Sequence, residues 1–144
     1  MLVQQILKAK GDTPVVTIKP GTLVSDAARI LAERRIGGLV VSRDGETVEG
    51  ILSERDIVRE LGKSGSGCLT LTVDKLMTSK LVTCSRDDRA DEVLQKMTEG
   101  RFRHMPVLED GNLVGLISLG DVVKARLMEL SMEKDALQGM IMGH

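Results

Sequence analysis

Apolar positions along the chain switch twice between a helical and an extended rhythm. Between residues 23 and 35, Leu23, Ala27, Ile30 and Leu31 fall on one side of a 3.6-residue helix with charges opposite. Two short extended runs follow, 38–42 and 47–52, joined by Arg43-Asp44-Gly45-Glu46; Asp-Gly between aliphatic runs is a strong hairpin signal. The same succession returns with Ala90, Val93, Leu94 and Met97, then with strands 106–108 and 113–118 around Asp110-Gly111-Asn112. Each succession is preceded by a short helix (about 2–8; about 73–78) and a short strand ending at Thr17 or Thr83. Each closes on a helix that opens after Ser53 or Ser118. The second closing helix continues through Met128, Met132 and Leu137 towards Met140 and Met142.

Sliding the chain on itself shows that the two successions are copies. GILSERDIV at 50–58 answers GLISLGDVV at 115–123, and Val15-Val16-Thr17 answers Leu81-Val82-Thr83. Over 16–48 and 50–59 there are 12 identities in 43 aligned positions, and eight other pairs exchange one aliphatic residue for another. The reading is an α+β chain of two β-α-β-β-α repeats, the first over 1–62 and the second over 73–130. Between them, 63–72 is a linker that the run Gly62-Lys63-Ser64-Gly65-Ser66-Gly67 marks as flexible by composition. Residues 131–144 form the helix end and a tail. A chain of 144 residues is one ordinary domain in size, so the halves are expected to share a core.

Composition narrows the function. A net charge of −1 offers no broad basic field for nucleic acid, and Phe102, the one aromatic residue, gives no stacking platform. The aliphatic runs are far too short for a membrane span and the N-terminus has no signal-peptide pattern, which points to a soluble cytoplasmic protein. Cys68 and Cys84 lack metal-site or disulfide spacing, so reduced thiols are expected.

The doubled Ser-x-x-Asp, Ser53 with Asp56 and Ser118 with Asp121, has two readings. Just before a helix it is a capping box: the hydroxyl accepts from a first-turn amide and the acid reaches back. At a strand's carboxyl end it also faces the crevice where ligands of α/β arrangements sit. There, an ionised Asp can accept two ribose hydroxyls, and Ser and free helix amides can meet phosphate. Gly50 and Gly115 would allow close backbone approach.

Together, Met105-Pro106-Val107, the Asp-Gly turns and the doubled G-h-h-S-x-x-D-h (h, aliphatic) resemble the cystathionine-β-synthase (CBS) domain, in the tandem arrangement called a Bateman module. The resemblance covers roughly residues 2–128 and is strongest to stand-alone bacterial CBS-pair proteins, which carry SERD in the first copy and RHhPV in the second. It implies two repeats related by a pseudo-twofold axis and packed through their sheets. It further implies a regulatory module for adenine nucleotides (AMP, ADP, ATP or NAD), acting on a separate protein, with no obligatory cofactor. Some members bind S-adenosylmethionine instead. Carried over residue by residue, Asp56 and Asp121 would hold ribose hydroxyls, Ser53 and Ser118 would contact phosphate or ribose, and Thr17 and Thr83 would meet the adenine edge. Val16, Val82, Val40 and Ile36 would wall the base. Pro106 belongs to the same strand motif.

The copies differ where ligands would sit. Arg103, His104 and Pro106 of the second copy answer Gly37, Gly38 and Val40 of the first, and Arg55 answers Gly120. Arg55, Arg103 and His104 are therefore expected to converge on phosphates. Gly37 and Gly38 are either a simple turn or room for a larger ligand such as a dinucleotide. Two rivals stay open: a structural dimerisation module with degenerate pockets, and an enzyme using His104 with Cys84 or Ser118. CBS pairs commonly form flat homodimers, which would place helices 56–61 and 121–130 at the contact. The methionines at 128, 132, 140 and 142 would suit a partner helix, a core or a dimer seam.

Overall fold

The amphipathic stripes become helices that cover two small sheets. In the computed structural model, which describes residues 1–11 and 14–141, the first repeat contains β1 (Thr17–Ile18), α2 (Val24–Arg34), β2 (Gly38–Val41), β3 (Gly50–Ser53) and α3 (Glu54–Ser64). They follow an N-terminal helix α1 (Val3–Ala9). The second repeat contains α4 (Ala90–Gly100), β4 (His104–Glu109), β5 (Asn112–Ser118) and α5 (Leu119–Ile141). β1 runs parallel to β2, which pairs antiparallel with β3; β4 and β5 form a separate antiparallel pair. Thr83 lies outside any strand, and the second counterpart of β1 shrinks to a single parallel bridge, Cys84 to Val107. The stripe that covers the first sheet is Val24, Ala27 and Leu31 on α2. Of the expected positions, Ile30 is part-buried and Leu23 is exposed just ahead of the helix, its place taken by Val24; on α4, Ala90, Val93 and Met97 are buried as expected.

The two Asp-Gly turns close differently. Asp110 and Gly111 both take positive φ (51° and 81°), the two-residue turn that suits strand twist, and β4 and β5 run up to it. In the first copy the Asp44 carboxylate accepts from the amides of Glu46 (2.9 Å) and Thr47 (2.8 Å), which takes those amides away from any ladder. The strand expected from 47 therefore begins at Gly50.

The expected flexible linker is corrected. α3 continues to Ser64 and passes into a 3-10 helix, Gly65–Thr70, whose Cys68 is buried, and a second 3-10 turn covers Val73–Lys75. The composition suggested slack, but Cys68, Leu69 and Val73 are apolar anchors that repay the ordering of the glycines.

The leading segments are exchanged between the repeats. Val3 and Ile6 of α1 are buried in the second repeat's core with Val93, Met97, Met105 and Ile117, while Val73, Leu76 and Met77 pack into the first repeat's core with Leu31, Leu39 and Leu52. Backbone bonds fix both exchanges: Val3 N donates to Asp88 O (2.8 Å), and Val73 N to Thr22 O (2.8 Å). Gly50 and Gly115 serve this exchange. A Cβ on Gly50 would stand 2.6 Å from Met77 Sδ, and one on Gly115 2.6 Å from Leu7 Cδ2. The Cβ side of each glycine is thus taken by a side chain of the exchanged segment.

α5 is a single helix to Ile141, and its end projects: Met132, Leu137, Met140 and Ile141 are exposed. Met142 lies outside the described residues. Among the described residues no helix is long and apolar enough to cross a membrane.

Candidate functional site: two cationic clefts between the repeats

Both Ser-x-x-Asp motifs do cap their helices. Ser53 N donates to Asp56 Oδ2 (2.9 Å), Ser53 Oγ donates to the same oxygen (3.0 Å), and Asp56 N donates to Ser53 Oγ (3.3 Å). At the second site Ser118 N donates to Asp121 Oδ2 (2.9 Å) and Asp121 N to Ser118 Oγ (3.2 Å). Capping uses only Oδ2 of each carboxylate. Oδ1 of Asp56 meets Arg59 Nη1 at 3.5 Å, and Oδ1 of Asp121 takes no hydrogen bond from a described residue. Fastening the helix and offering an acceptor to a cleft are therefore compatible here.

Each motif opens onto a cleft built from both repeats. The Asp56 cleft, about 300 Å³, is lined by Ser53, Arg55 and Asp56 of the first repeat and by Val82, Phe102, Arg103 and His104 of the second. The Asp121 cleft, about 1010 Å³, combines Ser118 and Asp121 with Val16, Ile36, Gly37 and Gly38 of the first repeat. Both sizes suit small-molecule sites. The pseudo-symmetry is close: Val16 and Ile36 occupy in one cleft the places that Val82 and Phe102 occupy in the other.

Charge is concentrated in both. Arg55, Arg59, Lys80, Arg101 and Arg103 surround the smaller cleft against Glu54 and Asp56; Lys8, Lys10, Arg35 and Arg86 surround the larger against Asp121 alone. Each lining has a surplus of three positive charges in a chain whose net charge is −1. Such a local field favours anions, above all phosphates that guanidinium groups can grip with two donors.

His104 is the wall between the clefts and lines both. Its ring lies over the first repeat's glycines: a Cβ on Gly38 would stand 3.0 Å from Nε2. Gly37 and Gly38 thus accept a side chain of the other repeat while still lining the larger cleft. Burial lowers the His104 pKa below its usual value, against the opposing pull of Asp121 and Glu54. Burial would raise the Asp121 carboxyl, but hydrogen bonds from the Lys10 ammonium (Nζ–Oδ2 2.8 Å) and the Ser118 amide bring it below the ordinary carboxylate range.

The structure brings together most of the expected site residues. Ser53, Arg55, Asp56, Arg103 and His104 share one cleft, and Gly38, His104, Ser118 and Asp121 the other. Thr17, Thr83 and Pro106 line neither; their neighbours Val15, Val16, Leu81 and Val82 do. Thr17 is half-buried in β1, Thr83 is exposed, and Pro106 is buried in β4, its carbonyl accepting from Cys84 N at 3.0 Å. Val40 is fully buried and walls neither cleft. Cys84 is buried with its thiol pushed up to about 12 by burial and by Asp88, so it supplies no thiolate near neutrality.

Lys10, Lys80, Arg35 and Arg101 were not expected. Arg35 and Arg101 end α2 and α4 in the left-handed conformation (φ 54° and 55°) where glycine is usual, and one faces each cleft. Their identity at offset 66 and that of Lys10 with Lys80 at offset 70 are the signals that could have found them.

Comparison with known proteins agrees with this architecture. The CBS domain family matches residues 8–63 and 73–128. The mitochondrial CBS domain-containing protein CBSX3 of Arabidopsis thaliana is 32% identical over 98% of this chain and 72% of its own length. The chain spans about a quarter of CBSCBSPB2 of the same plant (36% identical over 86% of this chain, 23% of that protein). Among solved structures, the CBS-domain protein ATU1752 from Agrobacterium tumefaciens superposes with a TM-score of 0.83 at 41% identity, covering 88% of this chain and 99% of that one. PAE2072 from Pyrobaculum aerophilum, complexed with AMP, gives 0.77 at 27% identity over 92% and 99%. The CBS pair of MJ0100, in complex with 5-methylthioadenosine and S-adenosyl-L-methionine, gives 0.77 at 25% over 90% and 98%. With two matched repeats, crossed clefts and paired Ser-x-x-Asp caps, this chain belongs to the CBS-domain family as a tandem CBS pair.

Proposed function

We propose that the protein is a regulatory module that binds adenine nucleotides in its two clefts and signals their presence to a separate partner protein. The observation that carries this reading is the surplus of cations around two aspartates placed to accept hydroxyls. A phosphorylated nucleoside matches both features; S-adenosylmethionine, with a cationic sulfonium in place of phosphate, matches only the second. AMP in PAE2072 supports the ligand class. In the smaller cleft Asp56 accepts ribose hydroxyls through Oδ1, Arg55 and Arg103 hold phosphate, and the base lies between Ile51, Val82 and Phe102. The larger cleft has the volume for a dinucleotide such as NAD.

The exposed apolar residues on the outer helices, Val58 and Leu61 on α3 with Val123 and Leu127 on α5, support a homodimer through these faces. A purely structural module would use the same faces and the same caps. Isothermal titration with AMP, ATP, NAD and S-adenosylmethionine separates the two: the proposal expects saturable binding with phosphorylated ligands preferred. Absence of binding by all four would leave only the structural reading.

A further inference from the structure

The pseudo-equivalent lysines are used unequally. Lys10, at the C-terminal end of the exchanged helix α1, reaches across to the second repeat, donating to Asp121 Oδ2 (2.8 Å) and to the Leu116 carbonyl (2.9 Å). Its counterpart Lys80 lines the Asp56 cleft but pairs with no described carboxylate; Asp56 Oδ2 is held by Ser53 alone, and the cation nearest this carboxylate is Arg59, at 3.5 Å from Oδ1. A ligand entering the Asp121 cleft therefore meets a carboxylate already engaged by an ammonium group, with that ammonium fixed at the cleft wall.

We propose that Lys10 is the specificity residue of the Asp121 cleft: it holds the carboxylate until a ligand brings an anion that Lys10 can hold instead. This inference rests on the nucleotide reading above. One ribose hydroxyl can use the free Oδ1 of Asp121, but the second needs Oδ2, so a neutral nucleoside displaces the ammonium there with its hydroxyls and supplies no anion to hold it. A nucleoside phosphate supplies both, so the cation keeps a partner throughout. The α1 segment favours the exchange, because Leu7 seated over Gly115 anchors the helix on the second repeat while Lys10 moves at its end. In the Asp56 cleft the competing cation is looser, Arg59 on the same helix, largely exposed and 3.5 Å from Oδ1, so the two clefts discriminate differently and the smaller one accepts nucleosides more readily relative to nucleotides.

The test is a methyl-resolved NMR titration of the full chain with adenosine and with AMP, comparing wild type with Lys10→Met. Signals of Val114 and Leu116 report on the Asp121 cleft, and those of Ile51 and Val82 on the Asp56 cleft. Lys10→Met should tighten adenosine at the Asp121 cleft and weaken AMP there, each by about two- to fivefold, the scale of a partly exposed ion pair. Both constants at the Asp56 cleft should stay unchanged. Lys10→Arg, which keeps the cation, should retain the wild-type preference, and an unchanged Tm in either variant shows that α1 stays docked. Equal constants in wild type and Lys10→Met, or a shift of both ligands in the same direction, overturns the assignment and leaves nucleotide binding standing. No signal change at either cleft, with either ligand, in either protein at millimolar concentration rejects the nucleotide reading and this inference together.

Discussion

Asp56 fastens α3 and faces the smaller cleft, so replacing it perturbs two functions that must be told apart. Asp56→Ala removes the acceptor for Ser53 N and Oγ and the negative charge at the helix start. Lost caps of this kind cost about 0.5–2 kcal/mol. For a domain of this size that is a Tm decrease of about 2–6 °C. Asp56→Asn keeps one side-chain oxygen where Oδ2 accepts from Ser53 N and loses the charge. Its Tm should fall by about half as much or less. If the carboxylate holds ribose hydroxyls, both variants lose charge-assisted hydrogen bonds worth about 1.5–3 kcal/mol, a weakening of roughly ten- to hundredfold. Calorimetric titration with AMP, alongside a melting curve for each protein, reads the two effects separately. An Asp56→Asn protein that binds AMP as wild type does would refute the reasoning, because capping would then be the whole role of the acid.

Further consequences are open to measurement. His104 has a lowered pKa, so its contribution to stability is complete above the unfolded value of about 6.5 and is lost as pH falls below it. The Tm should decline as pH falls through and below about 6.5, and His104→Gln should flatten that decline; equal slopes in the two proteins would contradict this. Arg35→Gly relieves a left-handed residue and should raise stability by about 0.5–1 kcal/mol in urea denaturation while weakening phosphate ligands in the Asp121 cleft. Gly50→Val would press on Met77 and the Thr78 carbonyl and should destabilise by about 1–3 kcal/mol, whereas Gly45→Val, in open space at positive φ, should lose stability through backbone strain alone and leave the exchanged segment docked by hydrogen exchange. Paired Val58→Glu and Leu127→Glu should shift sedimentation towards monomer if the outer helices associate.

What the sequence made legible were features decided within a few residues. The α2 and α4 stripes, the Asp-Gly turns and both Ser-x-x-Asp caps all depend on local spacing, and their helices begin within a residue of the expected positions. The duplicated pattern also located Ser53, Asp56, Ser118 and Asp121 at two cleft mouths. The exchange of α1 and residues 73–77 between cores was not legible. Two similar repeats present two similar apolar faces, and a short amphipathic segment fits either; local pattern does not record the choice. That choice carries Lys10 to Asp121, gives Gly50 and Gly115 their partners and orders the glycine-rich connection. His104 was singled out for its strand, but its position over Gly38 depends on how the two halves meet, which no local pattern records.

The nucleotide reading requires both aspartates to grip ligand hydroxyls while capping their helices. Its most direct test is a crystal structure of the protein soaked with AMP. Nucleotide density is expected in the Asp56 cleft, with ribose oxygens within hydrogen-bond distance of Asp56 Oδ1 and phosphate against Arg55 or Arg103. Density confined to another surface, or a nucleotide in the cleft whose ribose avoids the carboxylate, would contradict it.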